Sequence, residues 1–255
     1  MTNSRTQLVA RLRAAGSVFA EDEADVLLGS TTSPDHLEEM VRRRVTGEPL
    51  EVVVGWAEFC GLRIEVDPGV FVPRARTAVL VEHGAGLVRP GHVVVDLCCG
   101  TGAVGVALLH RVPGLVLHAA DIEPAAVACA RRNVEPVGGR VHEGDLFDAL
   151  PAELRGHVDL LVVNAPYVPT DAIASMPPEA RDHEPRVALD GGADGVDVHR
   201  RVADGSRDWL RTGGHLVVET SRRQSSTTVA AFERAGLVAR TVTSDDVDGT
   251  AVVGS

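Results

Sequence analysis

Residues 158–167 of the chain read VDLLVVNAPY. The first six are apolar apart from Asp159, rich in β-branched side chains and bounded by polar and proline-containing segments, which is typical of a buried parallel strand. Ligands of open α/β sheets bind just beyond the carboxyl ends of such strands. We therefore expect Asn164, which is followed at once by a rigid turn, to lie at a binding site, and we call residues 164–167 the clamp.

The clamp is suited to holding a planar amide or an exocyclic amine for methylation. The lone pair of such a nitrogen is delocalised, so an enzyme must hold both N–H groups and aim the nitrogen at a methyl donor. The side-chain oxygen of Asn164 can accept one N–H group, and the carbonyl of Ala165, kept extended because Pro166 follows it, can accept the other. Tyr167, the only tyrosine in the chain, offers an aromatic face to a planar group and tolerates a nearby sulfonium. A strand-ending turn without chemistry is the alternative interpretation of these four residues taken alone.

Composition limits the class of protein. The 255 residues are 44% hydrophobic and 24% charged, as expected for a globular domain with a small appendage. A net charge of −11 argues against a broad nucleic-acid footprint. Residues 42–44, RRR, are the best candidate for a local basic patch, and a solvated helix face is the alternative.

The four cysteines predict neither a zinc site nor a disulfide framework, because they lack C-x-x-C spacing and nearby histidines at ligand intervals. They are Cys60, Cys98, Cys99 and Cys129. Residues 1–5 lack the apolar segment of a leader, and no apolar run approaches membrane-spanning length. We therefore expect a cytoplasmic protein without a metal.

The chain divides into three parts. Apolar residues recur at helical spacing over residues 7–46, which predicts a small helical domain at 1–48. Residues 49–75 contain strand-like segments at 52–54, 56–59 and 62–66, separated by glycine and Pro-Gly, which predict a hairpin connector.

Strand and helix patterns alternate over residues 76–255, which predicts an α/β fold with a parallel, doubly wound sheet. The predicted strands are 93–97, 115–120, 140–143, 158–163, 215–219, 237–242 and 250–253. The predicted helices are 103–110, 124–133, 198–210 and 225–235.

A cofactor signature follows the first of these strands, where residues 96–102 read DLCCGTG. A glycine-rich turn admits a ligand close to the backbone, and Asp121, at the end of the next strand, is placed to accept hydrogen bonds from ribose hydroxyls. The turn does not match G-x-G-x-x-G, and the clamp has no use in hydride transfer, so S-adenosylmethionine is favoured over a nicotinamide cofactor. Asp145 and Leu146 are expected to border the adenine, with Asp145 as a helix cap the alternative.

These motifs resemble those of the glutamine-N5 protein methyltransferases of the HemK/PrmC type, which methylate the glutamine of the Gly-Gly-Gln tip in peptide-chain release factors. The resemblance runs from about residue 42 to the C-terminus. Further matching segments are 43–44, 47–49, 58–59, 71–74, Thr77, 184–185, 188–189 and 191–195.

The resemblance implies a class I S-adenosylmethionine-dependent methyltransferase domain, Rossmann-like, behind an N-terminal helical domain that docks the substrate. It implies that the clamp residues Asn164, Ala165, Pro166 and Tyr167 grip a glutamine that a partner protein exposes. The implied contacts to S-adenosylmethionine are Asp96, Cys98, Cys99, Gly100, Thr101, Gly102, Asp121, Asp145, Leu146 and Asn164.

The chain departs from the family pattern at several positions. Ala165 replaces the first proline of Asn-Pro-Pro-Tyr but keeps the backbone carbonyl, so we expect activity with a looser clamp. Ala75 and Ala78 stand where the family has a proline and a glutamate, and the helical region is shorter. Two alternatives remain: methylation of an exocyclic amine on RNA or DNA, because such enzymes share the clamp, and a donor-binding module with weakened catalysis, because of these altered positions.

Overall fold

The computed structural model describes residues 5–255. Residues 1–4, which belong to the expected helical domain and to the segment expected to lack a leader, lie outside the described residues. Helices α1 (Arg5–Ala14), α2 (Ala20–Ser30) and α3 (Pro34–Val45) confirm the helical pattern. Helix α3 begins where Ser33 accepts the backbone N–H of His36 and a proline occupies the first turn. The apolar faces of these helices meet in a small core of their own, which includes Leu8, Leu12, Leu27 and Met40.

Residues 52–54, which the sequence predicts as a strand, belong instead to helix α4 (Leu50–Val54). This prediction is wrong because Val53 packs into the core of α1–α3, and that tertiary contact overrides the β propensity of three valines. The rest of the predicted hairpin is confirmed, since β1 (Trp56–Phe59) and β2 (Leu62–Glu65) pair antiparallel. Phe59 and Ile64 attach this hairpin to the core of the main sheet.

The main sheet has seven strands in the order β5-β4-β3-β6-β7-β9-β8. The strands are β3 (Val93–Leu97), β4 (Val116–Asp121), β5 (Arg140–Glu143), β6 (Val158–Val163), β7 (Leu210–Glu219), β8 (Ala239–Ser244) and β9 (Gly249–Gly254). The accompanying helices are α5 (Ala78–Ala85), α6 (Ala103–Arg111), α7 (Pro124–Val134), α8 (Pro178–His183), α9 (Asp197–Trp209) and α10 (Ser225–Arg234). Helices α5 and α8 are additions to the predicted set.

The sheet is parallel from β5 to β7, as predicted, but β9 runs antiparallel to both of its neighbours. The expectation of a wholly parallel sheet is therefore corrected at its edge. Strands β8 and β9 are joined by residues 245–248 alone, and so short a connection permits only an antiparallel hairpin, because a parallel crossover needs a dozen or more residues.

Two apolar layers cover the two faces of the sheet. Successive residues of β3 alternate between them, with Val94 in one layer and Val95 and Leu97 in the other. Because strand order reverses at β3, the carboxyl ends of β3, β4 and β6 open a crevice at one edge. None of the helices between residues 5 and 255 is long and apolar enough to cross a lipid bilayer.

Candidate active site

A cavity of about 1300 Å³ occupies this crevice. It is bordered by the strand ends, by residues of α2 and α3, and by the segment 176–190 that follows the clamp. Of the residues that the sequence predicts for the site, those on its wall are Asp96, Cys98, Cys99, Gly100, Thr101, Asp121, Asp145, Leu146, Asn164, Ala165, Pro166 and Tyr167. The structure therefore brings together side chains that lie up to 71 residues apart.

Gly102 is the exception, since it does not belong to the wall. Its φ of 77° starts helix α6, and a Cβ atom there would lie 2.5 Å from the side chain of Val134 on α7. Gly102 therefore shapes the turn and the packing beneath it rather than the cavity surface.

Asp121 ties together the two turns at the base of the cavity. Its Oδ2 accepts the backbone N–H of Gly100 at 2.8 Å, and its Oδ1 accepts that of Glu123 at 3.0 Å. Burial raises the pKa of this carboxyl, and the backbone N–H groups oppose the shift. Each oxygen keeps a second lone pair, so the carboxylate can also accept a hydroxyl from a ligand.

Asp96 lies one strand away and is fully buried, with its Oδ2 accepting the N–H of Gly105 at 2.9 Å. Burial raises the pKa of Asp96 to about 8, and the charge of Asp121 adds to the effect. Cys98 and Cys99, which form the adjoining wall, also have thiol pKa values raised by burial. Because the thiolate is the nucleophile, these thiols are structural rather than reactive.

Asp145 and Leu146 end the site on the β5 side. The Asp145 carboxylate pairs with Arg201 at 2.7 Å. It makes no side-chain hydrogen bond to the start of the helical turn at residues 146–149, so Asp145 does not act as a helix cap there. Leu146 adopts a φ of 48°, in the left-handed region that favours glycine, and lies on the cavity wall.

The clamp lies at the carboxyl end of β6, next to the β3 turn, because Leu97 and Val163 pair in register at the ends of these two neighbouring strands. The Asn164 amide nitrogen lies 3.5 Å from the Thr77 hydroxyl, and the Tyr167 hydroxyl donates to Glu219 at 3.1 Å. Gln224 donates to the Tyr167 carbonyl at 2.8 Å, while a Cβ atom at Gly195, whose φ is 76°, would lie 2.3 Å from that same oxygen. The clamp is therefore held from behind by close contacts, which favours a site over a plain strand-ending turn.

Sequence reasoning missed the pair formed by Arg74 and Glu184, which joins two sides of the cavity at 2.5 Å. The Glu184 side chain is only 2% exposed, and its second oxygen has no partner among residues 5–255. Both residues belong to segments that resemble the family, but no pattern in the sequence relates positions 110 residues apart.

The arginines of residues 42–44 do not form a free basic patch. Each guanidinium pairs with at least one carboxylate at 2.6 to 2.8 Å. The pairs are Arg42–Glu39, Arg43–Glu48, Arg44–Glu23 and Arg44–Glu179. The last pair links α3 to α8 at the mouth of the cavity, so the helical region is tied to the segment that follows the clamp.

We expect Arg74→Ala to lower the free energy of unfolding by about 1–3 kcal/mol, because it leaves a buried carboxylate without its cation. Burial already raises the pKa of Glu184, and Arg74 opposes that shift. Urea unfolding provides the measurement, and adding Glu184→Gln should recover part of the loss. Arg186→Ala, which breaks the exposed pair with Asp190, is the matched control; an equal cost for both single variants would contradict this account.

The strand order, the carboxylate at the end of β4 and the crevice beside β3 together define a class I S-adenosylmethionine-dependent methyltransferase. Residues 61–177 match the family model described as the methyltransferase small domain. The 16S rRNA N2 G1207 methyltransferase of T. thermophilus, solved with AdoMet and guanosine, shares the fold with a TM-score of 0.56 and 18% identity, over 78% of this chain and 49% of that one.

Two curated relatives are closer in sequence. The release factor glutamine methyltransferase of Geobacter sulfurreducens is 39% identical over 77% of this chain and 69% of its own length. The 4-amino-L-phenylalanine/4-methylamino-L-phenylalanine methyltransferase of Streptomyces pristinaespiralis is 38% identical over the same shares. The chain belongs to the release factor glutamine methyltransferase family, it is an enzyme, and its cofactor is S-adenosylmethionine.

The wall of the cavity fits this cofactor. Asp121 ends β4 and keeps a free lone pair on each carboxylate oxygen, which fits a ligand that carries hydroxyl groups. The volume exceeds the roughly 300–1000 Å³ of an ordinary small-molecule site, so the cavity has room for a second ligand as well.

Proposed function

We propose that this enzyme methylates the N5 amide nitrogen of a glutamine side chain in a protein, which is a peptide-chain release factor or another protein of the translation apparatus. The observation that carries the proposal is the position of Asn164 and Ala165, which lie together on the cavity wall at the strand end next to the β3 turn. We further propose that the enzyme acts in the cytoplasm, where a protein of the translation apparatus would be its substrate.

The chain's own residues act by positioning. Asn164 Oδ1 and the Ala165 carbonyl accept the two N–H groups of the glutamine amide, and Tyr167 packs against its plane. S-adenosylmethionine, when bound, supplies an electrophilic methyl group on a sulfonium. This methyl group would pass to the amide nitrogen with S-adenosylhomocysteine as the leaving group, and the methylated nitrogen would lose a proton to solvent. Fixing the nitrogen in this way can lower the barrier by up to roughly 7–11 kcal/mol.

The site residues are proposed in two groups. Asp121 binds ribose, Asp145 and Leu146 border the adenine, and Asp96 with residues 98–101 forms the rest of the donor site, while Gly102 shapes the turn that holds them. The clamp binds the acceptor. We further propose that residues 1–48 form a domain that docks the protein substrate, that residues 49–75 connect the two domains, and that residues 76–255 form the catalytic domain. The docking role is supported by Phe19, which borders the cavity and is 69% exposed.

A nucleic-acid substrate is disfavoured by two observations. The net charge is −11, and the arginines at 42–44 are paired with carboxylates rather than free for phosphates. A small aromatic amine is the second candidate, because the relative from Streptomyces pristinaespiralis is named for one and the clamp accepts N–H groups from either compound.

Binding of S-adenosylmethionine should tighten as pH rises from about 6 to about 8, by up to roughly tenfold per unit, and should release a proton over the same range. The pKa of Asp96 is raised to about 8, so below it the carboxyl is neutral and a cationic ligand must displace its proton. Calorimetry in buffers of different ionisation enthalpy measures the release. Asp96→Asn should remove the proton release; if it does not, Asp96 is not the group responsible.

Incubation of the purified enzyme with labelled S-adenosylmethionine and a panel of acceptors tests the proposal. The panel contains a full-length release factor, the same factor with its Gly-Gly-Gln glutamine changed to alanine, ribosomal RNA, and 4-aminophenylalanine. We expect label on the first protein alone, located by tandem mass spectrometry on the glutamine side chain. Label on RNA or on the amine instead would overturn the proposal.

A further inference from the structure

Helix α2 turns one side towards the cavity. Asp22, Glu23 and Val26 belong to the cavity wall, and so does Phe19, the residue that precedes the helix. Side chains three and four positions apart lie on the same face of a helix, so these residues form a continuous stripe. Phe19 is 69% exposed and its neighbour Val18 is 84% exposed. The stripe therefore begins at an uncovered apolar pair that is available to a binding partner.

Helix α8 lies across the mouth of the cavity from this stripe. The Arg44 guanidinium pairs with Glu23 of α2 at 2.8 Å and with Glu179 of α8 at 2.6 Å, so it lies between the two helices. We call the part of the wall formed by the α2 stripe, Arg44, residues 49–51, the wall residues of α8 and Glu184 the entry groove. The clamp borders the same cavity, so the groove is continuous with the place where the acceptor is proposed to bind.

The entry groove is negatively charged. Its carboxylates are Asp22, Glu23, Glu51, Glu179 and Glu184. Two guanidinium groups face these five carboxylates, Arg44 within the groove and Arg74 beside it, which leaves an excess of three negative charges. The side chains of Asp22 and Glu51 form no ion pair or hydrogen bond among residues 5–255. Both carboxylates are therefore free to pair with a ligand.

Other cations do not cancel this charge. Arg5, at the start of α1, pairs with Asp25, and Arg186, on the cavity wall, pairs with Asp190. Arg76 is the only arginine of the wall that has no ion pair within the part of the chain that the structure describes, and counting it still leaves an excess of two. A positively charged ligand is therefore attracted to the groove, and a negatively charged one is repelled.

Glu184 gives an independent indication of a ligand. Its side chain is 2% exposed, and Arg74 donates to its Oε1 at 2.5 Å, but its Oε2 has no hydrogen-bond partner among residues 5–255. A buried carboxylate oxygen without a donor is costly. Burial and, to a smaller extent, the charge of Glu51 raise the pKa of Glu184. An N–H group of a bound cation would both supply the missing hydrogen bond and reduce the repulsion.

We propose that the entry groove binds a positively charged segment of the protein substrate, next to the residue that receives the methyl group, with an apolar side chain of that segment packed on Phe19. That the partner is a protein rests on the proposed function, whereas the preference of the groove for positive charge does not. Nucleic acids and anionic lipid surfaces carry the opposite charge and are disfavoured as occupants.

Fluorescence anisotropy with short labelled peptides tests the proposal. The peptides share one glutamine and one leucine, and their flanking positions are all lysine, all alanine or all glutamate. With S-adenosylhomocysteine present, we expect the lysine peptide to bind at least roughly tenfold more tightly than the glutamate peptide, since a few exposed ion pairs together reach that value. The difference should shrink as salt is added. Equal binding of the three peptides, or no binding of the lysine peptide, would overturn the proposal.

Charge reversal in the groove shows whether these carboxylates cause the preference. In Asp22→Lys/Glu51→Lys the order of the lysine and glutamate peptides should reverse, and in the neutral variant Asp22→Asn/Glu51→Gln the difference should fall by about half or more. Asp204→Lys/Glu233→Lys is the matched control, because it changes the net charge equally at exposed positions outside the cavity wall. Thermal unfolding confirms that each variant is folded. A control that alters the order as much as the groove variants do would refute the proposal.

The apolar part of the groove has its own test. Phe19→Ala should weaken all three peptides by a similar factor of roughly tenfold, because burying a large apolar side chain contributes more than the 1.4 kcal/mol that this factor represents. Val238→Ala, which truncates a side chain that is 81% exposed and lies outside the wall, is the control and should change nothing. Unchanged affinities in Phe19→Ala would contradict the contact with Phe19.

These binding measurements involve no methyl transfer, so they separate failure of this proposal from failure of the proposed function. A clear preference for the lysine peptide, with no label on any glutamine in the acceptor panel, would overturn the proposed function and leave the groove as a site for cationic segments. Label on the release factor, with no preference among the peptides, would overturn the role of the groove and leave the proposed function standing.

Discussion

Asn164→Ala is expected to reduce methyl transfer by roughly 100- to 1000-fold, the cost typical of removing one preorganised polar group from an active site. The variant removes the side-chain oxygen that accepts an N–H group of the substrate, but it leaves the donor side of the cavity intact. The Kd for S-adenosylmethionine should therefore change by no more than about threefold. Single-turnover rates and calorimetry on the same preparation measure the two effects.

The matched control is Asp171→Ala, which removes an exposed carboxylate from the turn that follows the clamp. It should leave both the rate and the donor affinity near their wild-type values. A rate for Asn164→Ala close to that of the control would show that the carboxamide of Asn164 does not position the substrate.

Asp121→Ala is expected to weaken S-adenosylmethionine binding by roughly 100-fold or more. Its oxygens hold the partly buried N–H groups of Gly100 and Glu123, so the variant loses the anchor shared by the two turns beside the donor site. The variant also removes the acceptor proposed for the two ribose hydroxyls, and a hydrogen bond to a charged group contributes about 1.5–3 kcal/mol. Since every 1.4 kcal/mol is about tenfold in affinity, the loss of two such bonds corresponds to about 100-fold or more.

Glu143→Ala provides the control for Asp121, because Glu143 pairs with it in register at the end of β5 yet is exposed. Thermal unfolding shows whether either variant loses its fold, and Asp121→Asn keeps the shape with the charge removed. Donor binding by Asp121→Ala as tight as that of Glu143→Ala would contradict the role assigned to Asp121.

The strands of the crevice could be predicted because each is a short apolar run with a polar residue at its end. The run at 158–163 is buried at every position, and its continuation into Asn164 marks the sheet edge. Local patterns failed where long-range contacts decide the outcome. Val53 is helical because it packs on a neighbouring helix, and β9 is antiparallel because four residues alone separate it from β8.

The strand ends and turns that form the candidate site could likewise be predicted, but the hydrogen bonds and ion pairs between their side chains could not. Thr77, Glu184 and Glu219 carry no local signal of their partners, since each lies 52 to 110 residues from the side chain that it contacts. Ala165, which stands where the family pattern has a proline, changes only a side chain. It alters a side chain that is 1% exposed, while the carbonyl that the clamp requires belongs to the backbone and is kept.

A structure of the enzyme with S-adenosylhomocysteine and a glutamine-containing peptide tests the central claim most directly. We predict that Asn164 Oδ1 and the Ala165 carbonyl oxygen each lie about 2.7–3.2 Å from the glutamine amide nitrogen, the range of a hydrogen bond. A peptide amide that binds elsewhere in the cavity, with neither oxygen in contact, would contradict the account.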